Sequence, residues 1–254
     1  MNAAWVITPL FFLTGLVYAM GGLAGGSTYL ALLALFQYPY GSIPKVALLC
    51  NLIVAAGGTW HFVKAGHLDL KRVLPFLIGS IPAAYLGGRI PVGKELFTLL
   101  LGLSLAAAAA RLLFLDKAIE AAKAPAIRNT WGLGLVLGTL LGFLSGIVGI
   151  GGGIFLAPVL LFLRWAGPRQ AAAAASLFIL VNSASGLLGQ FTKGGLDIPA
   201  AHVIPLIAAA FLGGQIGSRL GAGRIPSLAL QRITGLLILT VALRLLGGLW
   251  GGLW

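Results

Sequence analysis

The chain contains few charged residues. Of its 254 residues, 9% are Asp, Glu, Lys or Arg, whereas about 25% is usual in soluble domains. Hydrophobic residues make up 59% of the sequence, and the mean hydropathy is +1.03. A soluble fold would leave much of this apolar surface exposed to water. We therefore exclude an ordinary soluble enzyme and a disordered chain, and predict an integral membrane protein whose surroundings are the lipid bilayer.

Cysteine and acidic residues are also scarce. The single cysteine, Cys50, excludes an intrachain disulfide and argues against a cysteine-based metal cluster. No carboxylate is expected at mid-membrane, which argues against a carboxylate proton relay and a hard-cation site there. No Ser–His–Asp set, CxxC or HExxH motif occurs, so we predict no enzyme activity, no catalytic residue, no metal and no cofactor. The acidic residues, in loops or at helix ends, are Asp69, Glu95, Asp116, Glu120 and Asp197.

Basic residues outnumber acidic ones by 17 to 5, which gives a net charge of +12. No basic patch with interleaved aromatic residues lies outside the apolar runs, so nucleic-acid binding is not expected. Basic residues instead mark the cytoplasmic loops of membrane proteins. Short basic loops here separate long apolar runs, and a spanning helix needs about 20 apolar residues. The runs lie near 5–36, 44–63, 73–88, 96–115, 130–163, 170–191, 199–218 and 228–246.

The longest connection between apolar runs is the polar segment 116–129, close to the midpoint of the chain. It divides the sequence into a first membrane repeat (1–115), a cytoplasmic linker (116–129) and a second membrane repeat (130–254). The halves share short matches in the same order. Residues 15–28 (GLVYAMGGLAGGST) match 142–155 (GFLSGIVGIGGGIF) at an offset of 127, and Phe62-Val-Lys-Ala-Gly matches Phe191-Thr-Lys-Gly-Gly at an offset of 129.

The loop charges indicate the relative orientation of the two halves. Eight plain spans would place eight basic residues on one side and nine on the other, which is no bias. If each glycine-rich run is a broken hairpin of two segments, the sides carry twelve and five, as the positive-inside rule requires. The sequence therefore predicts an all-α polytopic membrane protein with two inverted repeats of about five segments, each opened by a glycine-broken helical hairpin.

Inverted repeats with paired broken helices are typical of secondary transporters, whose substrate binds near the midplane. Exposed N–H groups at helix N-termini favour anions. Asn51 and Ser176 take similar places in the third segment of each half, and Ser27 follows the first glycine cluster. The other interpretation is that the glycines permit tight helix packing and the polar side chains only join helices. Lys64 and Lys193, at matched positions, either attract anions to opposite mouths or anchor the interface.

The stretch from Gly142 to Gly153, followed by Pro158 and Ala175-Ser176-Leu177, resembles the TauE/SafE family of sulfite exporters. The first half repeats the pattern in degraded form, with Gly22-Leu-Ala-Gly-Gly26 and Cys50-Asn51-Leu52. The resemblance implies a carrier of small sulfur-containing anions, such as sulfite or a sulfonate, in a bacterial or archaeal inner membrane. The site that it implies comprises Gly25, Gly26 and Asn51 in the first half and Gly151, Gly152, Gly153 and Ser176 in the second.

Two other functions remain open at this point. A passive anion channel could use the same scaffold, and flux that does not saturate with substrate would favour it. A non-transporting scaffold or enzyme subunit would need neither a polar centre nor paired breaks. An inside-negative potential favours anion export, because 100 mV is worth about 2.3 kcal/mol per charge. A second copy of the chain, in a homodimer, is a further candidate partner.

Overall fold

The computed structural model of the protein describes residues 4–121, 130–163, 165–221 and 228–251. Every regular element in these ranges is a helix, and none is a strand, so the predicted all-α class is confirmed for them. Ten helices occur in the described ranges. They are α1 (Ala4–Met20), α2 (Gly26–Leu35), α3 (Ile43–Lys64), α4 (Leu70–Arg89), α5 (Lys94–Ala121), α6 (Thr130–Val148), α7 (Gly153–Phe162), α8 (Pro168–Phe191), α9 (Ala200–Gly221) and α10 (Leu228–Gly251).

The distribution of polar and apolar side chains suits a lipid environment. The outer surface carries large apolar residues, such as Leu140 (61% exposed) and Leu188 (66% exposed), while Asn51 and Ser183 are fully buried. Such an apolar exterior would aggregate in water. By length and composition, four described helices can cross a membrane: Ile43–Lys64, Trp131–Val148, Pro168–Phe191 and Ala200–Gly221.

Both predicted glycine clusters interrupt the helices. We call residues 21–25, between α1 and α2, the first break, and residues 149–152, between α6 and α7, the second break. Gly25 has a φ of 92°, and Gly151 and Gly152 have φ values of 83° and 74°. Side chains with a Cβ atom rarely adopt this left-handed region, so glycine is what allows the chain to leave one helix and start the next.

The first and fourth helices of each half pack on the other half. α1 packs against α9, and α6 packs against α4. In both pairs, glycines spaced four residues apart lie directly against the partner's main chain, which brings the helix backbones close together. The facing residues are Gly213–Phe12, Gly217–Leu16 and Gly221–Met20 in one pair, and Gly138–Phe76, Gly142–Ser80 and Gly146–Ala84 in the other.

The third helix of each half lies between these outer pairs. α3 and α8 contact each other; α3 also contacts α2 and α9, and α8 also contacts α7 and α4. Because each of these two helices touches the short helix that follows a break, their side chains are the ones that can reach the breaks.

Helix α5 extends into the segment predicted as the linker, 116–129. The first residues of that segment continue the helix as far as Ala121, and 122–129 lie outside the described residues. The run of apolar and alanine residues that precedes Asp116 has the composition of a helix interior, and the helix continues through the first charged residues.

Candidate functional site

The two breaks come together at one side chain of α3. Asn51 is fully buried. Its Nδ2 donates a hydrogen bond to the carbonyl oxygen of Ile150 at 3.2 Å, and the carbonyl oxygen of Gly149 lies 3.5 Å from the same nitrogen. A residue of the first half thus holds the second break, 99 residues further along the chain.

The start of α2 lies against the same group. A Cβ atom built on Gly26 would lie 2.4 Å from the carbonyl oxygen of Ile150 and 2.5 Å from Asn51 Nδ2. Both distances are far below van der Waals contact. Gly26 is the first residue of α2. Because it has no side chain, its backbone can lie against the second break, as the sequence predicts for a glycine at a site of close backbone approach.

Gly151 also lies beside Asn51. A Cβ atom built on it would lie 3.0 Å from Asn51 Nδ2 and 3.2 Å from the Oγ of Ser183. Gly152 and Gly153, predicted with it, lie instead against Phe178 and Ile179 of α8. Gly151 therefore faces the polar group, whereas its two neighbours pack on apolar side chains.

Three polar atoms of residues at this point or next to it in the sequence have no hydrogen-bond partner among the described residues. They are Ser27 Oγ, Asn51 Oδ1 and Ser183 Oγ, and all three are buried. A buried polar atom without a partner costs about 1–3 kcal/mol. Such atoms in a folded protein require an explanation, and a ligand that supplies the missing hydrogen bonds is one.

The N-termini of α2 and α7 open at the two breaks. Each helix has 10 residues, begins after a left-handed glycine (Gly25 or Gly152), and lacks a side-chain cap. In α2, the first amides that donate to the Gly25 carbonyl group are those of Thr28 and Tyr29. Helix N-termini carry partial positive charge, so both breaks favour a negative ligand.

Ser176 makes its hydrogen bonds with α3 and not with the residues of the breaks. Its Oγ donates to the carbonyl oxygen of Ala55 at 3.2 Å and lies 3.2 Å from Thr59 Oγ1. Its hydroxyl therefore joins α8 to α3, one to two helical turns beyond Asn51. This contact matches the alternative in which a polar side chain only connects helices.

The contacts also give a different register for the predicted pair Asn51 and Ser176. Gly26, which opens α2, faces Asn51, whereas Gly153, which opens α7, faces Ile179. The position on α8 equivalent to Asn51 is therefore Ile179, three residues after Ser176. Ser183, one turn beyond Ile179, is the α8 hydroxyl near the second break. The sequence signal that could have identified Ser183 is the spacing from Gly26 to α3, compared with the spacing from Gly153 to α8.

One further polar side chain of α8, that of Gln190, is bonded to the end of α6, where the second break begins. Gln190 is buried, and its Nε2 donates to the carbonyl oxygens of Gly146 at 2.6 Å and Ile147 at 3.2 Å. Asn182 Nδ2 donates within its own helix, to the carbonyl oxygen of Phe178 at 2.8 Å. Gln190 therefore fixes the last turn of α6, from which the second break departs.

A pair of lysines lies at one end of the bundle. Lys45, near the start of α3, is buried, and its Nζ donates to the carbonyl oxygen of Gly195 at 2.6 Å. Lys193 Nζ donates to the carbonyl oxygen of Ile90 at 3.3 Å. Burial, and then the nearby Lys45 ammonium group, lower the pKa of Lys193. Lys64, the predicted counterpart of Lys193, is exposed on the surface.

The described ranges contain no cluster of three His, Cys, Asp or Glu side chains that could hold a metal ion. Their one ion pair joins Arg72 to Asp69 at 2.9 Å, at the start of α4. The meeting point of the breaks is thus formed by an amide, hydroxyl groups and main chain.

The family model of the sulfite exporter TauE/SafE matches residues 7–245. The chain belongs to the TauE/SafE family. It is 36% identical over 241 residues to the probable membrane transporter protein y4hK of Sinorhizobium fredii, covering 93% of this chain and 95% of that protein. It is 24% identical over 267 residues to the probable membrane transporter protein YunE of Bacillus subtilis, covering 95% of each. No solved structure matches the chain.

Membership of the TauE/SafE family establishes a multi-pass membrane transporter rather than an enzyme. The match spans both glycine breaks and nearly all of both predicted repeats. The family resemblance seen in the sequence is therefore confirmed, along with the membrane location that the composition predicts.

Proposed function

We propose that this transporter exports a small sulfur-containing anion, such as sulfite or a sulfonate, across the inner membrane. The substrate would bind near the midplane, between the first and second breaks. The observation that carries the proposal is the meeting of Gly26, Asn51 and Gly151 beside three buried polar atoms without partners. The family name and the helix N-termini at both breaks support an anion as the ligand.

We further propose that the two halves have inverted orientations. Two observations support this: the reciprocal packing of α1 on α9 and of α6 on α4, and the twelve-to-five distribution of basic residues. In this topology the linker is cytoplasmic, and the Lys45 and Lys193 end faces outward. Transport would proceed by rocking of one half against the other around the site, as in other inverted-repeat carriers.

The binding site in this proposal contains Gly25, Gly26, Ser27 and Asn51 from the first half. From the second half it contains Gly151, with Gly152 and Gly153 shaping the start of α7, and Ser183 in place of Ser176. The acidic residues Asp69, Glu95 and Asp197 lie at or near helix ends instead. An anion would therefore meet hydrogen-bond donors without a fixed negative charge.

The proposal is tested by sulfite flux into proteoliposomes with an imposed membrane potential. Saturable flux that follows the potential, and that a sulfonate competes with, is the expected result. Flux that rises linearly with sulfite concentration would instead show a passive channel. Flux no greater than in empty liposomes, for sulfite and for alkyl sulfonates, would overturn the choice of substrate.

Ser183→Ala is expected to weaken anion binding about tenfold or more, because a hydrogen bond to a charged ligand is worth about 1.5–3 kcal/mol. Ser176→Ala is the matched control on the same helix, since its hydroxyl is already bonded to Ala55. The measurement is the KM for sulfite flux in both variants. A larger effect from Ser176→Ala would restore the site predicted from the sequence and remove Ser183 from it.

Lys193→Met is expected to raise the KM for anion presented from the outer side about two- to fivefold at low salt, because the lost charge no longer attracts the anion. The difference should shrink at high ionic strength, where exposed charges are screened. Lys64→Met removes the counterpart charge on the opposite face and should leave this KM unchanged. Equal effects of both variants in right-side-out vesicles would assign both lysines to interfacial anchoring.

A further inference from the structure

The orientation of the Asn51 side-chain amide is fixed by its surroundings. Its nitrogen lies 3.2 Å from one main-chain carbonyl oxygen, that of Ile150, and 3.5 Å from a second, that of Gly149. Carbonyl oxygens accept hydrogen bonds and cannot donate them, so a reversed amide would place an oxygen against two oxygens. The nitrogen therefore faces the second break, and the oxygen is the atom left free.

That free atom can only accept a hydrogen bond. Asn51 Oδ1 is buried and has no partner among the described residues. The hydroxyl groups of Ser183, beside Gly151, and of Ser27, the residue after Gly26, also lack partners, and each can rotate to donate or to accept. The meeting point of the breaks thus offers two adaptable hydroxyl groups and one obligate acceptor.

A fully deprotonated oxyanion would satisfy only part of this group. Its oxygens can accept hydrogen bonds from both serines, but none of them can donate to Asn51 Oδ1. An oxyanion that keeps one proton has both kinds of group, since its bare oxygens accept and its O–H donates. A buried acceptor left without a donor carries a large penalty, so the two forms should bind with different affinities.

We propose that, of the sulfur anions named above, the site selects the one that keeps a proton, hydrogen sulfite rather than a sulfonate, and that its O–H group donates to Asn51 Oδ1. This inference rests on the proposed function and adds the protonation state of the cargo. Each transported anion then carries one negative charge and takes one proton across the membrane with it. The proton travels on the substrate, so transport of the pair needs no carboxylate relay within the protein.

Few ionisable side chains lie near Asn51, so a change of flux with pH can be assigned to the substrate. α3 itself carries Lys45 and His61 six and ten residues away, and α8 carries Arg169 at its start. α2 contributes Tyr29, and Cys50 adjoins Asn51 on α3. α7 has no ionisable side chain among its described residues, and α9 has only His202 and Arg219, near its two ends.

The first measurement is sulfite flux against pH at a clamped membrane potential. We expect the flux to fall as the pH rises through the second ionisation of sulfite, with one charge moved per sulfite. Flux that follows the concentration of the dianion, with two charges per sulfite, would overturn the inference while leaving the proposed function intact. Absence of flux for any sulfur anion would overturn both.

The second measurement compares two competitors of sulfite flux that share shape and charge. Methanesulfonate and singly protonated methylphosphonate are both tetrahedral monoanions with one methyl group, and only the phosphonate has an O–H. We expect methylphosphonate, at a pH where it keeps its proton, to compete about ten- to a hundredfold better, the factor for pairing a buried acceptor. Equal competition would mean that water satisfies Asn51 Oδ1, and would overturn the inference.

The variant Asn51→Ala tests whether this preference depends on the Asn51 side chain. The preference for methylphosphonate over methanesulfonate should fall to about one in Asn51→Ala and persist in Ser176→Ala, because the Ser176 hydroxyl is bonded to α3 instead. A preference that survives in a folded Asn51→Ala protein would assign the acceptor to another group and overturn this role of Asn51. If Asn51→Ala does not fold, the competitor pair measured on the unaltered protein still decides the question.

Discussion

Gly26→Ala is expected to lower transport about a hundredfold or more. The added methyl group would lie 2.4 Å from the carbonyl oxygen of Ile150 and 2.5 Å from Asn51 Nδ2, so the two breaks must move apart. The φ angle of Gly26 is not in the left-handed region, so alanine fits the backbone and the effect is steric alone. A displacement of about 1 Å at a functional site can cost two orders of magnitude in rate.

The measurement is sulfite flux in reconstituted protein, with thermal unfolding in detergent to show that the variant folds. Gly132→Ala, in α6, is the control because a Cβ atom there would meet no neighbouring atom within 4 Å. Flux in folded Gly26→Ala equal to that of Gly132→Ala would show that close contact between the breaks is not needed for transport.

Gly146→Ala is expected to lower the stability of the folded protein substantially. A Cβ atom at Gly146 would lie 2.0 Å from the carbonyl oxygen of Ala84 and 2.7 Å from the Gly88 nitrogen. The obstacles are main-chain atoms of α4, which cannot rotate away as a side chain can. Overpacking of this kind costs about 1–3 kcal/mol, and more where the backbone must shift.

The midpoint of thermal unfolding should therefore fall, by about 2–4 °C for each kcal/mol in a chain of this size. Gly132→Ala again provides the comparison on the same helix. It should be neutral or slightly stabilising, since alanine favours helices by about 1 kcal/mol over glycine. Equal unfolding midpoints for the two variants would contradict the close contact of α6 with α4.

The helix breaks could be predicted from the sequence because they depend on a local property. Gly25, Gly151 and Gly152 adopt φ angles that few other residues tolerate, and clusters of glycine within apolar runs are unusual. That Asn51 is buried and hydrogen-bonded was also predictable, since an amide in a membrane segment needs a partner. These features required no knowledge of which helices touch.

The partner of Asn51 and the identity of the α8 hydroxyl were not predictable in the same way. Asn51 Nδ2 bonds to main-chain carbonyl groups of the other half, and a carbonyl group has no signature in the sequence. The predicted pairing of Ser176 with Asn51 differs by three residues from the register that the helix contacts give. Successive residues of a helix point about 100° apart and rise about 1.5 Å each. An error of three residues in aligning α3 with α8 therefore places the side chain at a different height in the bundle, against different neighbours. The burial of Lys45 depends on the α8–α9 loop in the same way.

The packing of α1 and α4 against helices of the second half has a consequence for biosynthesis. α1 finds its main packing partner only in α9, which begins about 180 residues after α1 ends. At a synthesis rate of about 5–20 residues per second, α1 waits roughly 10–40 seconds in the bilayer before that partner exists. α4 waits a shorter time for α6. The first half cannot reach its final packing while it is alone, so the protein acquires its structure late, when the ribosome has nearly finished.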